Sequence, residues 1–241
     1  MSLKKIFPLL LICLSLLFVS CASIPGFGKD AKQRLSAKYE TVSIDEKLEY
    51  LETEIKYPQF EKFPDLNKRI SNLINSEWKN FKSYSKQDWY RTAELNERGK
   101  GKLNPYSYNV TCKVTGNKQI VSVLIETWVF SGGAHGNTSL IALNYDIASG
   151  KYLNITQVSQ MTYNQISEIC RNKLYKDLID SDKTGMPPSE KDSLREMINT
   201  GAFPQAGNFE IFTVDGSKIT VWFEPYSVAP YSYGIQEIQI K

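Results

Sequence analysis

One histidine, four cysteines and no strong excess of either charge limit what this 241-residue chain can do. A catalytic zinc site takes two or three histidines, or histidine mixed with cysteine, and H-E-x-x-H needs two on one helix face. With His135 alone neither can be built, and the chain is expected to hold no metal and no other cofactor. No G-x-S-x-G occurs either, so the strained elbow that presents a serine nucleophile is missing. Ser131 lies shortly before His135, but no acid is placed to orient the imidazole, and hydrolase chemistry has weak support. The 29 Lys and Arg nearly balance the 26 Asp and Glu. That balance leaves no electrostatic footprint for nucleic acid.

Long apolar runs are equally scarce. The one present is "IFPLLLICLSLLF", residues 6–18, just after Lys4 and Lys5. It has the length of a signal-peptide core; a membrane-spanning helix takes about 20 residues. The run leads into "FVSC", which resembles the lipobox of bacterial lipoproteins, with Phe18 where leucine is usual. Residues 1–20 are therefore expected to be a lipoprotein signal peptide, with Cys21 lipidated and the protein held to a membrane outside the cytoplasm. The competing reading is ordinary secretion with cleavage after Ala22, because Ser20 and Ala22 also form a small-x-small site. Loss of the leader removes Lys4, Lys5 and Cys13. Cys112 and Cys170 then remain, either as a disulfide in an oxidising envelope or as two buried thiols.

Periodicity organises the remainder. Residues 21–43 are polar with an early Pro-Gly and read as a flexible tether. Residues 44–105 form an N-terminal companion region: Leu51, Thr53, Ile55 and Tyr57 alternate as a strand, then Leu66, Ile70, Leu73, Ile74 and Phe81 recur at helical spacing. Residues 86–105 lack a clear period and contain Gly99, Gly101 and Pro105, so they are expected to be a loop between two halves. Residues 106–241 form a C-terminal domain. A meander of strands comes first, followed by two helices headed by capping boxes at Thr162/Gln165 and Ser189/Asp192. A hairpin about Asp215-Gly216 and a last strand close the chain. The expected class is α+β: an antiparallel meander sheet with one helix from the N-terminal half and two from the C-terminal half packed on it.

Three stretches remain as candidate sites. "SGGAHG" joins two strands; Gly132, Gly133 and Gly136 supply the backbone freedom of a sharp corner, and His135 is a turn or interface residue. It lacks the lysine and helix start of a phosphate cradle. Glu126 and Glu224 stand beside aromatics, the kind of carboxylate pair a glycosidase places about 5–10 Å apart, but alternating strands also carry glutamate on a wet face. "WFEPYSVAPYSYG" holds five aromatics and two prolines, rigid surface suited to gripping protein or sugar, or else a cover for the core.

Taken together, Gly132–His135, the turn Asp146–Lys151 and the run Pro225–Gly234 resemble the extracytoplasmic domain family of the lysozyme-sensing anti-sigma factor RsiV. That domain type is also found beside the catalytic domain of the peptidoglycan deacetylase PdaC. The resemblance spans residues 47–241. It implies a non-enzymatic envelope module that recognises lysozyme or a cell-wall glycan through Ser131, Gly132, Gly133, His135, Pro225, Tyr226, Pro230, Tyr231 and Tyr233. A peptidoglycan-acting enzyme or accessory subunit is the alternative. The deacetylase's H-x-x-x-H metal motif cannot be assembled from one histidine, and the sequence leaves oligomeric state open.

Overall fold

The computed structural model describes residues 35, 37–97, 103–182 and 185–241. The expected leader, Cys21 and most of the expected tether lie outside them.

The first strands, β1 (Tyr39–Lys47) and β2 (Leu51–Phe60), form an antiparallel hairpin. β1 begins inside the stretch expected to be tether, so any tether stops before Tyr39. β2 buries Leu51, Thr53 and Ile55 on one face, as its alternation predicts. Helix α1 (Pro64–Glu97) follows. Pro64 sits in its first turn with Asp65, which suits the missing N–H of proline and the positive end of the helix dipole. The Asn67 amide both donates to the Phe60 carbonyl and accepts from the Phe60 N–H, each at 2.8 Å, fixing the angle between strand and helix.

α1 corrects the sequence reading. It runs on through much of the stretch expected to be a loop. The buried stripe continues from Leu66, Ile70 and Ile74 to Ser85 and Trp89, and the serine hides the period. Trp89 also donates its indole N–H to the Asn104 carbonyl at 2.9 Å, holding the far end of α1 to the chain that returns.

That returning chain is β3 (Tyr106–Gly116), which pairs parallel with β2, so β2-α1-β3 is a crossover unit. β4 (Ile120–Phe130) and β5 (Asn137–Asp146) complete a five-stranded sheet in the order β1-β2-β3-β4-β5. The region around residue 105 therefore does not separate two halves: strands from both sides of it share one sheet. The hydrophobic interior divides elsewhere. One cluster, from Leu51 to Tyr145, lies between this sheet and α1. A second runs from Ile120 to Ile240 on the other side.

The second cluster is built by α2 (Ile155–Ser159), α3 (Tyr163–Tyr175, continued by a π turn, Lys176–Asp180), α4 (Pro188–Gly201) and a three-stranded antiparallel sheet. That sheet holds β6 (Phe212–Asp215), β7 (Lys218–Phe223) and β8 (Gln236–Gln239). The class is α+β, with the late strands forming their own sheet beneath α3 and α4. Thr162 and Gln165 make the expected capping box, and Asn154 with Gln157 makes another that heads α2. The expected box at Ser189 is absent. Pro187 caps α4 without a side-chain bond and Pro188 opens it, leaving Ser189 already inside. The β6–β7 turn is Gly216-Ser217 rather than Asp215-Gly216, since Asp215 pairs with Lys218 and Gly216 takes φ +61°.

A buried polar link joins the sheets. Ser122 Oγ donates to Asn144 Oδ1 at 2.5 Å and accepts from the Val214 N–H at 2.9 Å. Asn144 Nδ2 donates to the Phe212 carbonyl at 2.8 Å. Cys112 and Cys170 are free thiols, the first packed against the cluster under α1 and the second inside the other, so no disulfide joins them.

Candidate functional site

The corner between β4 and β5 is held open to solvent from Ser131 to His135, with Gly136 buried beneath it. Gly132 and Gly133 take φ +88° and +95°, values a side chain resists. Gly136 is needed for space instead. A Cβ there would fall inside the Trp128 indole, which lies against the turn. Trp128 and Phe130 stack on the same face of β4, 6.3 Å apart and 9° from parallel. In the sequence only their alternation with Glu126 marks these two rings.

Opposite this corner stands the loop leaving β7. The Ser227 N–H donates to the Glu224 carbonyl at 3.0 Å, closing a turn with Pro225 at its second position and Tyr226 at its third. Tyr226 takes φ +71°, a position usually left to glycine, while its ring is 57% exposed. Val228 and Ala229 are buried in the α3–α4 cluster and anchor the loop. The alternation of proline and tyrosine around "VA" thus acquires a physical reason: the small apolar pair plugs the core and the flanking tyrosines are displayed. The Ser227 carbonyl also abuts Gly201 at the end of α4, where a Cβ would collide with it.

The two stretches meet ring to ring. The His135 imidazole stacks on Tyr231 with centroids 3.8 Å apart and planes at 17°, and Tyr226 leans on Tyr231 at 5.7 Å. Pro225, Pro230 and Tyr233 belong to the same loop, with Tyr233 37% exposed, but among the described residues no ring contact brings Tyr233 into the stack. His135 Nδ1 lies 2.8 Å from the Gly136 carbonyl. A carbonyl can only accept, so this contact places the proton on Nδ1 and uses backbone where a triad would have an acid. Among the described residues no hydrogen bond joins Ser131 to His135.

Glu224 has a structural task. Its Oε1 accepts the Leu140 N–H at 2.5 Å, tying the base of the loop to the outer edge of β5. Leu140 is also the cross-strand partner of Glu126. The two glutamates therefore flank one residue, but one of them is already engaged with backbone. Among the described residues no group of His, Cys, Asp and Glu is arranged to hold a metal ion. A groove of about 360 Å³ runs from Tyr226 and Ser227 to Glu196, Met197 and Thr200 on α4. The assembled surface is aromatic and partly exposed, and it is carried on the ends of β4 and β5 and on the loop leaving β7.

Comparison with known proteins divides the chain in two. Residues 44–138 match the family described as deacetylase PdaC, and residues 154–241 match a family of unknown function, DUF3298. The chain is similar to a PdaC-associated DUF3298 protein. A curated relative is the peptidoglycan-N-acetylmuramic acid deacetylase PdaC of Bacillus subtilis (strain 168), 26% identical over 192 residues. The match covers 78% of this chain but only 36% of that relative's length. Two solved DUF3298 structures share the fold. One, from Pseudomonas aeruginosa PAO1, has a TM-score of 0.59 at 17% identity; the other, from Bacteroides fragilis NCTC 9343, has 0.57 at 18%. In both cases 85% of this chain and 90% of the other are covered. The first family match ends two residues into β5 and the second begins after it, so most of the strand that the loop leaving β7 grips through Glu224 falls between them.

Proposed function

We propose that this protein is a non-catalytic, peptidoglycan-associated binding module of the bacterial envelope, held to a membrane by lipid on Cys21. Its recognition surface is the aromatic patch of His135, Tyr226 and Tyr231 with Trp128 and Phe130 beside it. The observation that carries this reading is the stack of His135 on Tyr231, because it joins one stretch from each half into a single exposed surface. Similarity to PdaC supplies the cell-wall context, and the resemblance to the RsiV domain family makes lysozyme the first partner to test. A protein partner suits a patch of rigid tyrosines on a tight loop, since little rotamer freedom is lost on contact.

Calorimetric titration of the full chain with lysozyme, run beside co-sedimentation with purified cell wall, tests the proposal. Saturable heat with lysozyme, or retention on the wall, is the expected result. Neither heat nor retention, or release of soluble fragments from the wall by the chain itself, would overturn it.

A further inference from the structure

The free edge of β5 offers a second site, separate from the aromatic patch. The Leu140 N–H points outward to Glu224, and the Asn144 carbonyl points outward to accept the Leu153 N–H at 2.8 Å. Residues 140, 142 and 144 therefore turn their peptide groups away from β4. Between those two capped ends, the Leu140 carbonyl, both peptide groups of Ala142 and the Asn144 N–H have no hydrogen-bond partner among the described residues. Loop segments cover the two ends of this edge, but the devices carried by the strand itself are missing. The run "LIALN" has no proline, no lysine and an unbroken register.

The part of this stretch from Ala142 to Asn144 faces a cleft of about 680 Å³. Tyr152, Tyr163 and Phe209 give it apolar walls. Arg69, from α1, stands on the side of the sheet that Leu143 faces; Glu210, next to the segment leading into β6, stands on the other. Neither makes an ion pair among the described residues. An unpaired cation and an unpaired anion thus flank a row of unpaired peptide groups.

We infer that the β5 edge receives an extended polypeptide segment as a sixth strand, with a carboxylate side chain meeting Arg69 and a cationic one meeting Glu210. Strand side chains alternate between faces, so the two charges occupy adjacent residues of the guest. The window from Leu140 to Asn144 spans about 14 Å at roughly 3.4 Å per residue, enough to pair about four guest residues.

The probe is the peptide acetyl-Thr-Val-Glu-Lys-Val-Thr-amide, titrated into the full chain with amide shifts and hydrogen exchange read at Ala142 and Asn144. Saturable shifts and slowed exchange at both amides are expected. The same peptide N-methylated on the backbone of its Glu and Lys keeps the side chains and should not bind. Arg69→Gln, an exposed change, should weaken binding about fivefold. Ala142→Pro, which an edge strand tolerates, should abolish it with the circular dichroism unchanged. Unmoved Ala142 and Asn144 amides at the highest peptide concentration, or equal binding of the N-methylated peptide, would overturn the inference. So would two amides already protected in the free chain alongside a dimer in sedimentation, since a second copy would then hold the edge.

Discussion

Gly136 and Gly133 sit three residues apart in one corner and should respond to alanine for different reasons. At Gly136 the new methyl group meets the Trp128 indole, a rigid ring fixed in β4, so Gly136→Ala should lower stability by about 1–3 kcal/mol. At Gly133 nothing lies within 4 Å of the new Cβ, and only the φ of +95° resists it, at about 1 kcal/mol. Denaturant unfolding of both variants would separate the two causes. The cysteines give a pH prediction. Burial pushes both thiols from the ordinary 9.0 up to about 12. A thiol held neutral in the fold but ionised in the unfolded chain stabilises fully below pH 9, and the contribution is lost as pH rises towards 12. Stability should therefore decline above pH 9, less steeply in Cys112→Ala, and a thiol reagent at pH 8 should modify Cys112 and Cys170 only after denaturant is added. At this scale the glycine corner was legible because sharp turns demand glycine. The stacking partner of His135 was not, because Tyr231 arrives from the far end of the chain.

Ser122 and Asn144 carry the contact between the two sheets. Both are buried, and each bonds to the other and to the backbone of β6. Asn144→Leu would leave the Ser122 hydroxyl and the Phe212 carbonyl short of partners in a dry interface, at a cost of about 2 kcal/mol or more. Ser122→Ala with Asn144→Leu should cost less than the sum of the two single changes, because the Ser122–Asn144 bond is lost only once, and a double-mutant cycle by urea unfolding measures that coupling. Elements with strong local signals, such as β2 and the Thr162 box, could be read directly. α1 could be followed only as far as Phe81, since Ser85 interrupts its apolar stripe and the tertiary contacts of Trp89 carry it onward. The proline-opened start of α4 likewise overrode the Ser189 pattern.

Over the whole molecule, the α+β class and the order of elements followed from periodicity. The division of the interior did not, because it depends on strand pairing at a distance. β2 joins β3 across a crossover, and the loop leaving β7 grips β5 through Glu224. The result is one sheet with α1 on one face and a smaller sheet, two main helices and a display loop on the other. Among the described residues this arrangement does not assemble a nucleophile, a base and an orienting acid. It presents instead a set of rings at one end of β4 and β5, supported by strands and by the buried Val228-Ala229 plug. Tyr231 is the residue at the centre of the patch, since it contacts both His135 and Tyr226. Calorimetry of Tyr231→Ala against lysozyme, with thermal unfolding in parallel, is the most direct test. Affinity should fall by about 30-fold with little change in melting temperature, as for a central aromatic anchor. Wild-type affinity in a folded Tyr231→Ala protein would contradict it.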